Sequence, residues 1–571
     1  MEEKISKREC SLIPRPQKCH FHPGYFYLTG NTVISLGKDA KIFRRESKLL
    51  QDKIRRITDI QLKTTNEVSE KYDNKSKITL RLNKAIDKVM TEEEYFIQIK
   101  KNSIELIATT CKGIFYSIQT LIDLIEKKNS KYQISLCEIQ DWPDFSWRGV
   151  LVDPARKFIP LTELKGFIKI MAQNKYNVLH IHFSDAQSFT LPTDVYPELK
   201  KSTQKGDFGV YTKKEIKNIV SYAEKFKIKV IPEIEIPGHS THILKLLPQL
   251  KCQSKKGKTS EWALCIGSEK TYQFLDKLFA EIAPLFSSDV FHIGTDELEF
   301  KDRLNKVFTS WKNCRICQKR MKKENLKNTR ELFYYFINRV QKILNKYGKR
   351  LMMWNDNIDI NKPCNLSRAI LIHFWRIAAP GRGPRKGCSL SKFLKQGFKI
   401  VNSFYPETYI SGYVKESKLA HWNPTTNPKS LINLKNQIIG GEICAWNDSK
   451  TPFDFYNWVL PSALPMFADR VWNKKKIKNL KSFAHILPKH IFGPEVSGKL
   501  ENLFEKLNSI IPPLSSEKLA YVENIKKTKN KIKDYNELEI ALKNLQNNDK
   551  VLNQNALREY IKIIQWIKNN L

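Results

Sequence analysis

Apolar positions recur along this chain in two rhythms. Over residues 1–140, short strand-like runs at 78–82, 95–99 and 103–108 lead into 113–125, where Ile114, Ile118, Leu121 and Leu124 fall at helical spacing. A small α+β domain is expected there. The turn Asp141-Trp142-Pro143-Asp144 closes it, since proline disfavours helix in the residue before it and lacks a backbone donor. From Trp147 the rhythm becomes strand, helix, strand, helix, the sequence form of parallel βα units. Strand-like runs fall near 149–152, 178–183, 228–234, 290–293, 350–354, 369–375, 399–404 and 438–445. These eight runs are the number that closes a (β/α)8 TIM barrel, expected over 141–480.

The intervening helices are equally legible. Leu164, Phe167, Ile168 and Met171 repeat at i, i+3, i+4 and i+7, as do Ile216, Ile219, Val220 and Ala223, so each helix presents one apolar stripe to the sheet. Thr212 and Glu215 have the spacing of a capping box, and a longer helix from about Thr329 should end at Gly348. After Trp472 the chain turns Lys/Asn-rich and helical, with Leu557, Tyr560, Ile561, Ile564 and Ile567 on one face. A helical C-terminal extension over 481–571, packed on the barrel, is the expectation.

Composition narrows the class. The chain has 571 residues, 41% hydrophobic and 11% aromatic, enough for a sizeable core. No apolar run reaches the roughly 18 residues that cross a bilayer, so no transmembrane segment is expected. Charges occupy the N-terminal positions where a secretory signal would place an apolar stretch; this predicts a cytoplasmic protein, or a secreted or periplasmic one if a leader has been removed. Eleven cysteines scattered from Cys10 to Cys444 suit free thiols better than a disulfide scaffold. The net charge of +39 favours anionic partners, but the lysines are dispersed and no nucleic-acid module is recognisable, so no specific nucleic acid is expected.

Candidate chemistry lies where barrel strands end, because βα-barrel active sites sit on that face. In strand order the ends carry Asp153 and Arg156; His180, His182 and Asp185; Glu233, Glu235 and His239; His292, Asp296 and Glu297; Trp354 and Asp356; His373 and Trp375; Tyr405 and Tyr409; Trp446 and Asp448. Carboxylates suit glycosidic cleavage, where one acid protonates the leaving oxygen while another charge stabilises an oxocarbenium-like centre. Tryptophan faces suit the C–H side of a pyranose.

Trp147-Arg148-Gly149 through Asp153 and Arg156, then 175–185, Gln187-Ser188-Phe189, Tyr211-Thr212, 231–239 and His292-Ile293-Gly294-Thr295-Asp296-Glu297, resemble the family 20 β-N-acetylhexosaminidases in order. The similarity runs from about Leu12 to Trp472 and includes the small domain before the barrel. It implies removal of a terminal non-reducing β-linked N-acetylhexosamine, GlcNAc or GalNAc, by a retaining, substrate-assisted route through an oxazolinium intermediate. Glu297 is then the general acid, Asp296 the partner of the substrate acetamido group, and Tyr409 the hydrogen-bond donor to its carbonyl. Arg148 would hold sugar hydroxyls; Trp354, Trp375 and Trp446 would wall the pocket; Asp185, His239 and Asp448 would complete the binding set, with His182 and His292 behind them. The resemblance implies no cofactor and no metal. The alternatives are a non-catalytic glycan-binding protein on the same scaffold and an anionic-polymer binder.

The sequence departs from the family pattern at Thr295, where a second glycine is usual, and at Glu235 and Ala186. It departs again at Ser411 and Asp448, on the O4 and O6 side of the sugar, where a sulfated or otherwise anionic substituent would be compatible. Cys314-Arg315-Ile316-Cys317 supplies half a tetrahedral zinc site, but no second pair nearby in sequence completes it, so two ordinary thiols are expected.

Overall fold

The computed structural model describes residues 12–494 apart from 67–75, 84–90, 203–207, 254–259, 299–309, 361–363, 378–388, 406, 411–415, 426–431, 448–462 and 478–479. Beyond 494 it describes 536–537, 539–540, 542–544, 561 and 564–565.

The first domain is a mixed sheet of β1 (Lys18–Leu28), β2 (Val33–Ser35), β3 (Lys63–Thr65), β4 (Lys77–Leu82), β5 (Tyr95–Lys100), β6 (Ser103–Ala108), β7 (Glu126–Lys128) and β8 (Lys131–Asp141), ordered β1-β8-β5-β6-β4-β2-β3 with β7 beside β8. The helices Arg44–Thr58 and Cys111–Leu124 pack against one another, and the second lies on β5 and β6. Its start is capped by Thr110, whose hydroxyl accepts from the Lys112 and Gly113 amides.

The second domain is a closed barrel of β9 (Trp147–Val152), β10 (Val178–His182), β11 (Lys229–Glu233), β12 (Val290–His292), β13 (Arg350–Trp354), β14 (Leu371–Phe374), β15 (Lys399–Asn402) and β16 (Ile438–Ala445), all parallel, with β16 paired back to β9. Each expected strand run coincides with or overlaps one of these strands, β9 beginning two residues before its expected run. The capping box of Thr212 and Glu215 opens helix Lys213–Lys225, and helix Thr329–Lys346 runs out at Gly348, whose φ of +67° is the left-handed turn expected there.

Side chains alternate inward along each strand, and the barrel interior is therefore layered. At the N-terminal end Trp147, Val178, Ile231, Val290, Met352, Leu371 and Val401 form an apolar plug. In the next layer the lining turns polar, with His180, Glu233, His292, His373 and Glu442 all fully buried. His180 Nδ1 lies 2.6 Å from Glu442, and Glu233 lies 2.6 Å from His182 Nδ1 and 2.7 Å from His292 Nδ1. Gly149 belongs to this layer because a Cβ there would stand 2.4 Å from the Glu442 carboxylate. Above it Leu151, Trp354, Trp375, Tyr409, Cys444 and Trp446 form a separate aromatic cluster.

The domains meet at the barrel's N-terminal end through buried charge. Lys175 Nζ reaches Asp141 at 3.1 Å and Tyr95 at 2.7 Å, while Arg15 pairs with Asp469 at 2.8 Å. Helix Leu480–Phe492 spans both domains, its His490 lying 2.8 Å from Asp123 and 3.1 Å from Asn174. Of the expected extension over 481–571, most lies outside the described residues; Leu542, Ile561 and Ile564 are buried in the main core. Among the described residues no helix is long and apolar enough to cross a membrane.

Candidate active site

The turn after β12 delivers the two neighbouring acids. In an extended strand, adjacent side chains face opposite ways. Here Gly294, Thr295 and Glu297 take φ of +64°, +86° and +53°, which breaks that alternation. Both acids consequently approach one histidine, with His239 Nε2 3.7 Å from Asp296 and 3.6 Å from Glu297. Gly294 admits no side chain, since its Cβ would fall 1.9 Å from Glu235 Oε2. Thr295 holds its left-handed backbone with its hydroxyl 3.4 Å from the Trp354 carbonyl, an uncommon conformation for a β-branched residue of the kind that clusters at functional sites.

The two acids differ in setting. Asp296 is 16% exposed and Glu297 39%. Burial, opposed by His239 and reinforced by Asp356, Glu297 and Glu233, raises the Asp296 pKa to about 6. Glu235 beside it is pushed well above the carboxylate range by burial and by the neighbouring charges of Asp296, Glu233 and Asp185, so it stands as a neutral acid. Asp296 Oδ1 is buried with no hydrogen-bond partner among the described residues.

His239 is held by Asp185, whose carboxylate lies 3.1 Å from Nδ1, and the Trp262 ring packs 4.2 Å from the imidazole. Burial would lower the His239 pKa, but Asp185 and Asp296 outweigh it and raise it to about 9, so the ring is cationic at neutral pH. Asp185 also meets Arg156 at 2.6 Å and His182 at 3.0 Å; although burial works against ionisation, Arg156 and His239 hold its carboxyl well below the usual range. Asp356, after β13, accepts from the Glu297 amide at 3.0 Å, Arg376 at 2.7 Å and the Trp375 indole at 3.3 Å, fixing the acid's backbone to the aromatic wall.

Trp354, Trp375 and Trp446 come together with Tyr409 as a cup: Tyr409 stacks on Trp375 at 6.0 Å and meets Trp446 at 6.3 Å. Burial, Cys444 and Asp296 keep the Tyr409 hydroxyl protonated well beyond its ordinary range.

Arg148 is a correction. It is the second residue of β9, hence at the N-terminal end of the barrel, 1% exposed, bound to Glu93 at 2.8 Å, to Tyr116 at 3.1 Å and to the Lys175 carbonyl at 2.9 Å. It joins the domains and cannot reach a sugar. The rim arginine is Arg156, which lies past the end of β9, bridges Asp153 and Asp185 at 2.7 and 2.6 Å, and sits 5.1 Å over Trp446. Strand polarity alone distinguishes the two, because only residues after a strand's C-terminal end reach the active face. Arg376, just past β14, is reached by the same strand-end rule, whereas Trp262 lies in a long loop without periodicity and carries no signal. Asp448 and Ser411 lie outside the described residues. The cysteine expectation is also corrected: Cys252 and Cys265, on the loop after β11, pack against Cys314 and Cys317.

The barrel segment, residues 145–475, matches the glycosyl hydrolase family 20 catalytic domain, and residues 9–142 match domain 2 of the same family. The chain belongs to glycosyl hydrolase family 20. It is 30% identical over 513 residues to a beta-hexosaminidase of Porphyromonas gingivalis, covering 84% of this chain but only 62% of that protein. It is 27% identical to beta-hexosaminidase subunit A2 of Dictyostelium discoideum, over 84% of this chain and 86% of the relative. Among solved structures, the chitobiase of Flavobacterium johnsoniae superposes with a TM-score of 0.73 at 25% identity, over 100% of this chain and 92% of that one. The family 20 exo-β-N-acetylglucosaminidase of Vibrio harveyi shares the fold with a TM-score of 0.72 at 21% identity, over 87% and 78% of the two chains.

Proposed function

We infer that this family 20 site hydrolyses a terminal β-linked N-acetylhexosamine, with the substrate's own acetamido oxygen as nucleophile. The observation that carries the reading is the orphaned, buried Asp296 Oδ1 beside the cup of Trp354, Trp375, Trp446 and Tyr409. An acetamido N–H is the donor such an acceptor lacks, and the indole faces suit its methyl group and the pyranose ring. The Tyr409 hydroxyl donates to the acetamido carbonyl oxygen as that oxygen bonds to the anomeric carbon. Glu297, the more open acid, gives its proton to the departing glycosidic oxygen. The ionised Asp296 balances the positive oxazolinium. Glu297, now a carboxylate, takes a proton from water, which adds to the anomeric carbon and restores the acetamido group with retained configuration. Arg156 presents cationic N–H donors to the sugar hydroxyls at the rim.

The test is Glu297→Gln on N-acetylglucosaminides with poor and activated leaving groups. Loss of about 10²–10⁴-fold on the poor one, and far less on the first step with the activated one, is expected. Equal losses would remove Glu297 from the acid role. Wild type that binds the sugar without cleaving it would favour an idle glycan-binding protein. A finer reading, tolerance of an anionic 6-substituent such as sulfate, is supported only by Ser411, Asp448 and the +39 charge; a sulfated aryl glycoside left uncut would end it.

A further inference from the structure

In the segments that follow β11 and β12, four cysteines converge. Cys252 and Cys265 flank the end of the loop after β11; Cys314 caps the start of helix Arg315–Lys323, and Cys317 lies in its first turn. All four are free thiols no more than 2% exposed, and their sulfurs lie within 4.8 Å of one another. We propose that Cys252, Cys265, Cys314 and Cys317 bind a structural zinc ion that locks the two active-site loops together.

Three observations lead there. Cys265 Sγ stands 3.7 Å from both Cys314 Sγ and Cys317 Sγ. A tetrahedron with zinc–sulfur bonds of about 2.3 Å has sulfur–sulfur edges of about 3.8 Å, whereas disulfide pairing would single out one neighbour. Next, the ligands come as Cys-x2-Cys at a helix start plus a second pair on a facing loop, the ligand arrangement of structural zinc sites. Finally, the segments are built to approach closely: a Cβ on Gly267 would fall 2.6 Å from the Cys317 Cα, the Arg315 amide donates to the Gln253 carbonyl, and the Trp311 indole donates to the Leu264 carbonyl.

The consequence for the site runs through short backbone links. Trp262 accepts from the Ser240 amide and Leu264 donates to the Pro237 carbonyl, so the metal-bound segment brackets His239. Binding ionises the thiols and releases their protons to solvent. The ion touches no reacting atom.

The test is elemental analysis of the full-length protein after dialysis against a weak chelator. About one zinc per chain is expected, released stoichiometrically when a mercurial titrates the thiols. Cobalt substitution should give the intense thiolate charge-transfer bands of a tetrahedral sulfur site, which requires no variant to fold. A Cys314→Ser, Cys317→Ser double variant should lose the zinc, and Cys19→Ser should keep it. A metal-free chain whose mass is four hydrogens low, showing two disulfides, would overturn the proposal. So would four reduced thiols that ignore added zinc, or iron in place of zinc. Because these readouts are independent of glycoside turnover, their failure is distinct from failure of the hydrolase reading.

Discussion

Two arginines flank the first barrel strand and meet opposite fates. Arg148, inside β9 at the barrel base, spends its donors on Glu93, Tyr116 and the Phe145 and Lys175 carbonyls, with the Trp472 ring 4.9 Å from its guanidinium. Arg156, just past the strand's other end, is 17% exposed and is held by Asp153 and Asp185, the second of which also holds His239. At the base, charge is enclosed and matched, so it joins domains. At the rim, charge is shared with two acids, one of which also holds His239, and it stays partly exposed beside Trp446.

The largest effect that would break this contrast is at the base. Arg148→Ala leaves Glu93 without its cation in a mostly buried interface, and removal of one partner of a buried pair costs about 3–5 kcal/mol. Thermal denaturation should move down by roughly 3–7 °C, while kcat of the folded fraction stays within about twofold. A variant that melts like its parent but shows a raised KM would reverse the assignment. Next in size is Arg156→Ala, for which kcat/KM on an aryl N-acetylglucosaminide should fall about 10²-fold, near 2.7 kcal/mol of transition-state stabilisation. The melting shift should be clearly smaller than for Arg148. Arg156→Lys should recover little, because one ammonium cannot reproduce two guanidinium nitrogens reaching two separate carboxylates.

The same contrast explains what the sequence made legible. Apolar runs located the barrel strands and period-3.6 stripes located the helices between them, since a barrel strand is buried on both faces and an outer helix on one. The two acids, Tyr409 and the three tryptophans were legible because each follows a recognisable strand in a motif. Arg148 misleads because a motif by itself does not mark which end of the strand faces the active site. The cysteine cluster was invisible for another reason: Cys265 lies 49 residues before Cys314, and only the barrel topology makes the loops after β11 and β12 neighbours. The closeness of Asp296 and Glu297 to one histidine depends on positive φ at Thr295 and Glu297, which no side-chain pattern announces.

The smallest expected effect separates matched from unmatched buried charge. Asp296 lies beside Glu235, Asp356 and Glu297, and its pKa stands at about 6 against an ordinary 3.8. A carboxyl whose folded pKa is raised contributes stability that is complete below its unfolded value and is lost as pH rises through the folded value. Ionised Asp296 therefore strains the fold at neutral pH, in the form that the oxazolinium requires. Asp296→Asn should stabilise the protein by about 1 kcal/mol at pH 7.5, or roughly 1 °C, and by nothing measurable near pH 4. The parent's kcat/KM should decline below about pH 6, as protonation removes the balancing charge. A stability gain of equal size at both pH values would show that shape, not charge, makes this position costly, and would return Asp296 to the same class of matched buried charge as Arg148.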